Sequence, residues 1–219
     1  VECMLKPIAE KIFQDNPFQP LEVETEAYLS NLAMQKIAHH LGPIFAAQAP
    51  VPVPGKTESE EKLPFISDLL GKATFLVVET LKSDILAIHN TSVLIEQGLI
   101  PREKAIDIYA TYLVSLIDKI RKDPRKYLNQ AYITQFNYLL KKEAIRFDVS
   151  TKKISIQIHM FPGVVEEFAK AVVEMYSTPG GILRDFGRLS PELEAILGNV
   201  QNLPSNVNID VNIKEEIKK

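Results

Sequence analysis

Residues 144–159, AIRFDVSTKKISIQIH, break the rhythm of the sequence around them. Apolar side chains fall at every second position: Ile145, Phe147 and Val149, then Ile154, Ile156 and Ile158. That alternation places successive side chains on opposite faces of an extended chain, and Ser150-Thr151-Lys152 between the two runs is turn-like. Residues 143–159 therefore read as one β-hairpin. On both sides the period is helical. The chain thus reads as a mainly α, multi-helix domain with one small β-hairpin. The hairpin separates it from a generic helical assembly domain, whose pattern would stay helical throughout.

Downstream, helices are expected over Gly163–Tyr176 and Pro191–Leu197, with Gly180-Gly181 breaking between them and an extended tail over 204–219. Upstream, one helix is expected from Pro124 to Lys141. Before it, Ile106, Tyr109, Leu113, Leu116, Ile117 and Ile120 recur every three or four residues, a core-facing stripe in a helix that begins near Pro101. Leu63–Glu96 reads as one long helix, or two broken near Gly71, with Gly98 as its stop signal. A short amphipathic helix over 2–14 and the turn NPFQP precede a helical stretch over Leu21–Ala47. There Tyr28, Leu32, Gln35/Lys36 and His39 share a side. Residues 48–63, rich in proline and then in charge, read as an exposed loop within a single helical domain over 1–219.

The chain has 219 residues, of which 46% are hydrophobic and 24% charged, an ordinary globular composition. A net charge of −3 leaves no basic footprint for nucleic acid. No apolar run approaches the roughly 20 residues of a membrane span. The single cysteine, Cys3, has no partner for an intrachain disulfide, which points to a reducing, cytoplasmic setting. No signal-peptide pattern is present, and a start at Val1 rather than Met suggests a fragment or processed product. Asn90-Thr91-Ser92 forms a glycosylation sequon inside a helical pattern, and reads as chance.

The side chains with ligand or acid–base capacity are His39, His40, His89, His159 and the carboxylates Glu79 and Asp84. Glu79 and Asp84 lie five residues apart, so they do not stack on one helix face. His39 and His40 point about 100° apart on a helix and do not readily share one metal. Lys36 beside His39 opposes cation binding. Cys3, near the end of the chain, reads as a small packing residue. The residues alone give no catalytic constellation.

Several segments, in order, nevertheless resemble one family. AYLSNLAMQKIAHHLGPIF (27–45) resembles the zinc helix of the dipeptidyl-peptidase III family, whose pattern in the Nudix-associated branch ends in Ala-His-Gly-Leu-Gly-Pro. VVETLKSDILAIHNTSVLIEQGLIP (77–101) is similar to the second motif, Glu-Glu-Ala-Lys-Ala-Asp followed by an apolar helix and a Gly-x-x-Pro turn. TQFNYLLKKEAIRFD and LRDFGRLSPELEAILGNVQNLPSNVNI are like later segments of the family, and LKPIAEK fits the approach to the zinc helix. The resemblance implies the C-terminal, zinc-bearing lobe of a two-lobed peptidase that binds short peptides in its cleft. In such a peptidase two His and one Glu hold zinc, and a Glu beside the first His activates water. Three ligands leave an open position, where zinc lowers the pKa of bound water to about 7.

Carried over residue by residue, that site is dismantled. The first zinc His falls on Gln35 and the water-activating Glu on Lys36. His39 keeps the second His, and His40 replaces a glycine. Glu79 keeps the first Glu of the second motif, while the ligand Glu falls on Thr80. Asp84 matches an acidic residue that supports a zinc ligand. A further family His falls on Leu128 and its preceding Glu on Lys126. No His occurs in residues 121–141, so a shifted alignment does not restore it.

The resemblance therefore implies a pseudo-peptidase: no catalytic residues at Gln35, Lys36, Thr80 and Leu128, and relic positions at His39, Glu79 and Asp84. No cofactor is expected, with zinc as the alternative. A structural role, or a peptide or protein partner, is expected within a larger protein, with no nucleic acid and no membrane. The alternatives are an active metal-dependent peptidase with a rearranged set, such as His39, His40, Glu79 and Asp84, and a generic helical assembly domain.

Overall fold

The computed structural model describes residues 2–14, 21–40, 70–124, 126–175 and 181–203, without the side chains of 2–4, 21–24, 39 and 40. The expected loop over 48–63 and tail over 204–219 lie outside these residues. Among them are helices α1 (Glu2–Ile12), α2 (Leu21–His40), α3 (Lys72–Glu96), α4 (Ala105–Lys122) and α5 (Asn129–Lys141). A hairpin, β1 (Ile145–Asp148) and β2 (Lys153–Ile156), precedes α6 (Phe161–Glu174), α7 (Gly181–Phe186) and α8 (Pro191–Val200).

The hairpin lies where the change of period places it. Its strands pair antiparallel, with Ile145 opposite Ile156 and Phe147 opposite Ile154. Ile145 and Ile154 are buried, and Phe147 and Ile156 pack against the same core. Val149 and Ile158, expected to continue the alternation, fall outside the strands, and Val149 is 80% exposed in the turn. Asp148 ends β1 early because its Oδ1 accepts bonds from the Ser150 N–H (2.8 Å) and hydroxyl (2.6 Å), starting the turn one residue sooner. Phe13, after α1, bridges to Ile154, and the Gln14 N–H donates to Ile154 O at 3.1 Å, so the N-terminal helix is tied to the sheet.

Gly71, at φ 74°, separates Leu70 from α3, in agreement with the expected break. Gly98 takes φ 74° after α3, where the Leu99 and Ile100 N–H groups return to Leu94 O. In α4, Tyr109, Leu113, Leu116, Ile117 and Ile120 are buried as expected, whereas Ile106 is half-exposed. The helix expected from Pro124 begins five residues later, at Asn129. Asn129 accounts for the delay: its amide donates to Asp123 O at 2.5 Å, across the turn that ends α4. Proline at 124 also disfavours a helical Asp123.

Tyr109 stacks on Phe161 at 4.3 Å and Tyr138 on Phe168 at 4.0 Å, so α4, α5 and α6 close around one core. Ala110, Val114 and Leu113 of α4, with Ile8, Ile12 and Val200 from the chain ends, belong to that core. The short α7 went unread because Gly180-Gly181 masks its start; Leu183 is its only buried side chain.

Candidate functional site

Helix α2 lies along α3 and α4. Glu26 pairs with Lys104, and the Asn31 amide donates to Ile108 O at 3.1 Å, so α2 and α4 run in the same direction. Ser92 meets Tyr109 at 3.0 Å, and Asp84 meets Lys119 at 3.8 Å, so α3 runs against α4. Helices α2 and α3 bring the described parts of the first two segments of the family resemblance side by side.

On α2 the buried side is Ala27, Asn31 and Ala38, with Tyr28 packed beside them. Gln35, four residues beyond Asn31 and three before Ala38, shares that side and is half-buried, while Lys36 is exposed. Leu32, expected to share the side of Tyr28 and Gln35, is 38% exposed. The backbone of His39 and His40 closes α2, and their side chains lie outside the described residues.

On α3 three neighbouring positions have three different commitments. Glu79 is buried and accepts from Lys82 Nζ at 2.8 Å, and Lys82 itself is wholly buried. Thr80 is half-buried, and its hydroxyl donates to Leu76 O at 2.8 Å, one turn back on its own helix. Asp84 is buried; its Oδ2 lies 3.3 Å from Gln135 Nε2 and 3.8 Å from Lys119 Nζ. Burial pushes the Asp84 carboxyl above its ordinary value, while Lys119 and the Gln135 amide pull it down.

Gln135, fully buried on α5, organises this polar centre. Its Oε1 accepts from Tyr112 OH at 2.7 Å, and its Nε2 also reaches Ala131 O at 3.1 Å. Burial raises the Tyr112 hydroxyl well above its usual value, and Asp84 adds to the effect. Lys119 Nζ sits 4.6 Å over the Tyr132 ring. The Tyr132 hydroxyl is pushed up to about 12, by burial first and by Asp84 second. Leu128 precedes α5 directly, half-buried against the core. His89 is half-buried on α3, and His159 is exposed in the turn after β2.

The structure thus brings Glu79, Thr80 and Asp84 onto one helix but turns them to separate partners. Lys82, Tyr112, Lys119 and Gln135 were missed as members of this centre. Lys82 was legible as the i+3 partner of Glu79; the others pair across 23 to 51 residues of sequence. The Thr80 hydroxyl is engaged with Leu76 O, Glu79 holds the buried Lys82 ammonium, and Asp84 lies 3.8 Å from the half-exposed Lys119 ammonium. Among the described residues, no three His, Cys, Asp or Glu side chains gather as a metal-binding group. No described helix is long and apolar enough to cross a membrane.

No family model and no curated protein matches the chain. Solved structures do. DPP III from Caldithrix abyssi superposes with a TM-score of 0.78 at 25% identity, over 94% of this chain and 37% of that one. Dipeptidyl-peptidase III from Corallococcus sp. strain EGB superposes with a TM-score of 0.74 at 19% identity, over 93% of this chain and 36% of that one. The chain therefore spans little more than a third of the proteins it matches. Helices, hairpin and order agree with the resemblance read from the motifs: this is a partial domain of the dipeptidyl-peptidase III type.

Proposed function

We propose that the domain is a non-catalytic relative of the peptidase, the counterpart of its zinc-bearing lobe, acting as a structural or peptide- or partner-binding module of a larger protein. The observation that carries this reading is Thr80. In the family resemblance this position supplies the zinc-ligand carboxylate; here its hydroxyl is committed to Leu76 O at 2.8 Å on the same helix. Gln35 and Lys36 support it from α2, because an amide is a poor zinc ligand and a protonated lysine does not take a proton from water. The scaffold that presents these positions is kept, which favours selection for shape over chemistry.

The test is turnover of a panel of short peptides by the full-length protein, with and without added zinc or cobalt. The expected result is no hydrolysis above the buffer rate. Metal-dependent hydrolysis that disappears in His39→Ala would overturn the proposal.

A further inference from the structure

Helix α2 has two apolar sides. The inner one, with Ala27, Asn31 and Ala38 buried and Tyr28 packed beside them, lies on α3 and α4. The outer one carries Leu29, Ala33 and Ile37 at a spacing of four residues, all exposed, Leu29 at 55% and Ile37 at 50%. Ala33 is two residues from Asn31, about 200° around the helix, so it marks the middle of the outer side. Residues at i, i+4 and i+8 make one ridge of a helix surface, the kind that packs into the groove of another helix. Leu32, 38% exposed, borders the ridge. Elsewhere among the described residues large exposed apolar side chains stand singly, one to a helix or turn, as is normal for a surface. A helix that is apolar on both sides is normally covered on both.

Charge and symmetry point to the cover. Glu26 precedes Ala33 by two turns on the same outer side, and its side chain is 65% exposed even though it pairs with Lys104. Lys36, exposed, follows Ala33 by one turn. Along α2 all the acids, Glu22, Glu24 and Glu26, come before Ala33, and the one lysine comes after it. A second α2 laid antiparallel on the ridge therefore sets acid against base twice, whereas a parallel one sets like against like. Leu29 and Ile37 are equally spaced about Ala33, so the antiparallel arrangement also sets Leu29 of each copy against Ile37 of the other. The small Ala33 falls at the crossing point, where two helices come closest.

We propose that the outer side of α2 is the interface of a symmetric dimer, in which α2 of one copy crosses α2 of a second copy antiparallel at Ala33. Such a contact is isologous, so each favourable pair occurs twice. It is one helix pair wide, and its dissociation constant is accordingly weak, about 10–100 µM. The pairing does not depend on the state of the metal positions. It covers Lys36, and so closes the outer side of α2 to other ligands while the dimer lasts.

Sedimentation velocity of the full chain, from about 1 to about 300 µM at neutral pH, tests this. The expected result is a monomer–dimer equilibrium that shifts with concentration. Ala33→Arg should weaken the dimer by about tenfold or more, because it puts bulk and like charge at the crossing point. Glu26→Lys and Lys36→Glu should each weaken it alone, since like charges then meet twice. An equimolar mixture of those two variants should pair more tightly than either alone, since opposite charges meet again. Far-ultraviolet circular dichroism of each variant separates loss of pairing from loss of fold. The proposal is overturned by a chain that stays monomeric throughout, which leaves the face to another occupant. A dimer unchanged in Ala33→Arg, or a mixture no tighter than the single variants, overturns it equally.

Discussion

Lys82 is an ammonium with no exposure to solvent, and it pairs with the Glu79 carboxylate one turn away at 2.8 Å. Removing one member of such a pair leaves the other charge buried, which costs about 3–5 kcal/mol, whereas replacing both by apolar groups of similar volume is close to neutral. Glu79→Ala is therefore expected to lower stability in urea denaturation by several kcal/mol, and Glu79→Leu/Lys82→Met to restore most of it. A single-variant loss under about 1 kcal/mol would show that Lys82 reaches water. Glu143 illustrates the opposite case. It follows α5 at φ 60°, with its carboxylate exposed and Arg146 no nearer than 3.9 Å. The Ala144 N–H returns to Leu139 O at 2.9 Å, so this is a helix end that favours glycine. Glu143→Gly is expected to raise stability by about 1 kcal/mol, read as a higher urea midpoint at unchanged slope.

At the scale of elements, the hairpin turn rests on Asp148. The Ser150 hydroxyl and N–H, and then the Thr151 N–H, hold its carboxyl below the ordinary carboxylate range. A depressed folded value contributes stability that is present above about pH 4 and lost as pH falls through the folded value. Asp148→Ala is expected to fray β1 and β2 and to flatten the stability profile below pH 4; a profile with the same slope as wild type would assign the acid loss elsewhere. Gly187, between α7 and α8, is fixed by space. A Cβ there would lie 2.3 Å from Leu183 O and 2.7 Å from Gln130 Cγ. The Asn137 amide clamps the same connection through Phe186 O (2.8 Å) and Arg188 O (2.7 Å). Gly187→Ala is expected to loosen α7 and α8 from α5, seen as faster amide exchange over 183–200, while the hairpin keeps its protection.

Elements with a clean period were legible in the sequence: the alternating hairpin and the apolar stripe of α4. Those that depend on distant partners were not. The start of α5 is set by Asn129 reaching back to α4, and α7 is held through Asn137, about 50 residues away. The candidate site divides in the same way. Gln35, Lys36 and Thr80 stand inside recognisable segments, so local motifs name them as candidates. The Asp84–Gln135–Tyr112 chain with Lys119 could not be named this way, because it joins three helices through side chains whose meeting depends on packing.

The whole molecule keeps a helical scaffold of the dipeptidyl-peptidase III type over a fraction of such a protein's length. Within it, Glu79 and Asp84 of α3 face lysines. On that basis the face around Gln35 and Thr80 is read as shape without metal chemistry. The most direct test is zinc stoichiometry: equilibrium dialysis of the full chain against micromolar zinc at neutral pH, then metal analysis, with His39→Ala and the ligand-restoring Gln35→His/Thr80→Glu in parallel. The expected result is less than about a tenth of an equivalent in both wild type and His39→Ala, with a clear gain in the restored variant. One equivalent of zinc in the wild type, lost in His39→Ala, would contradict it.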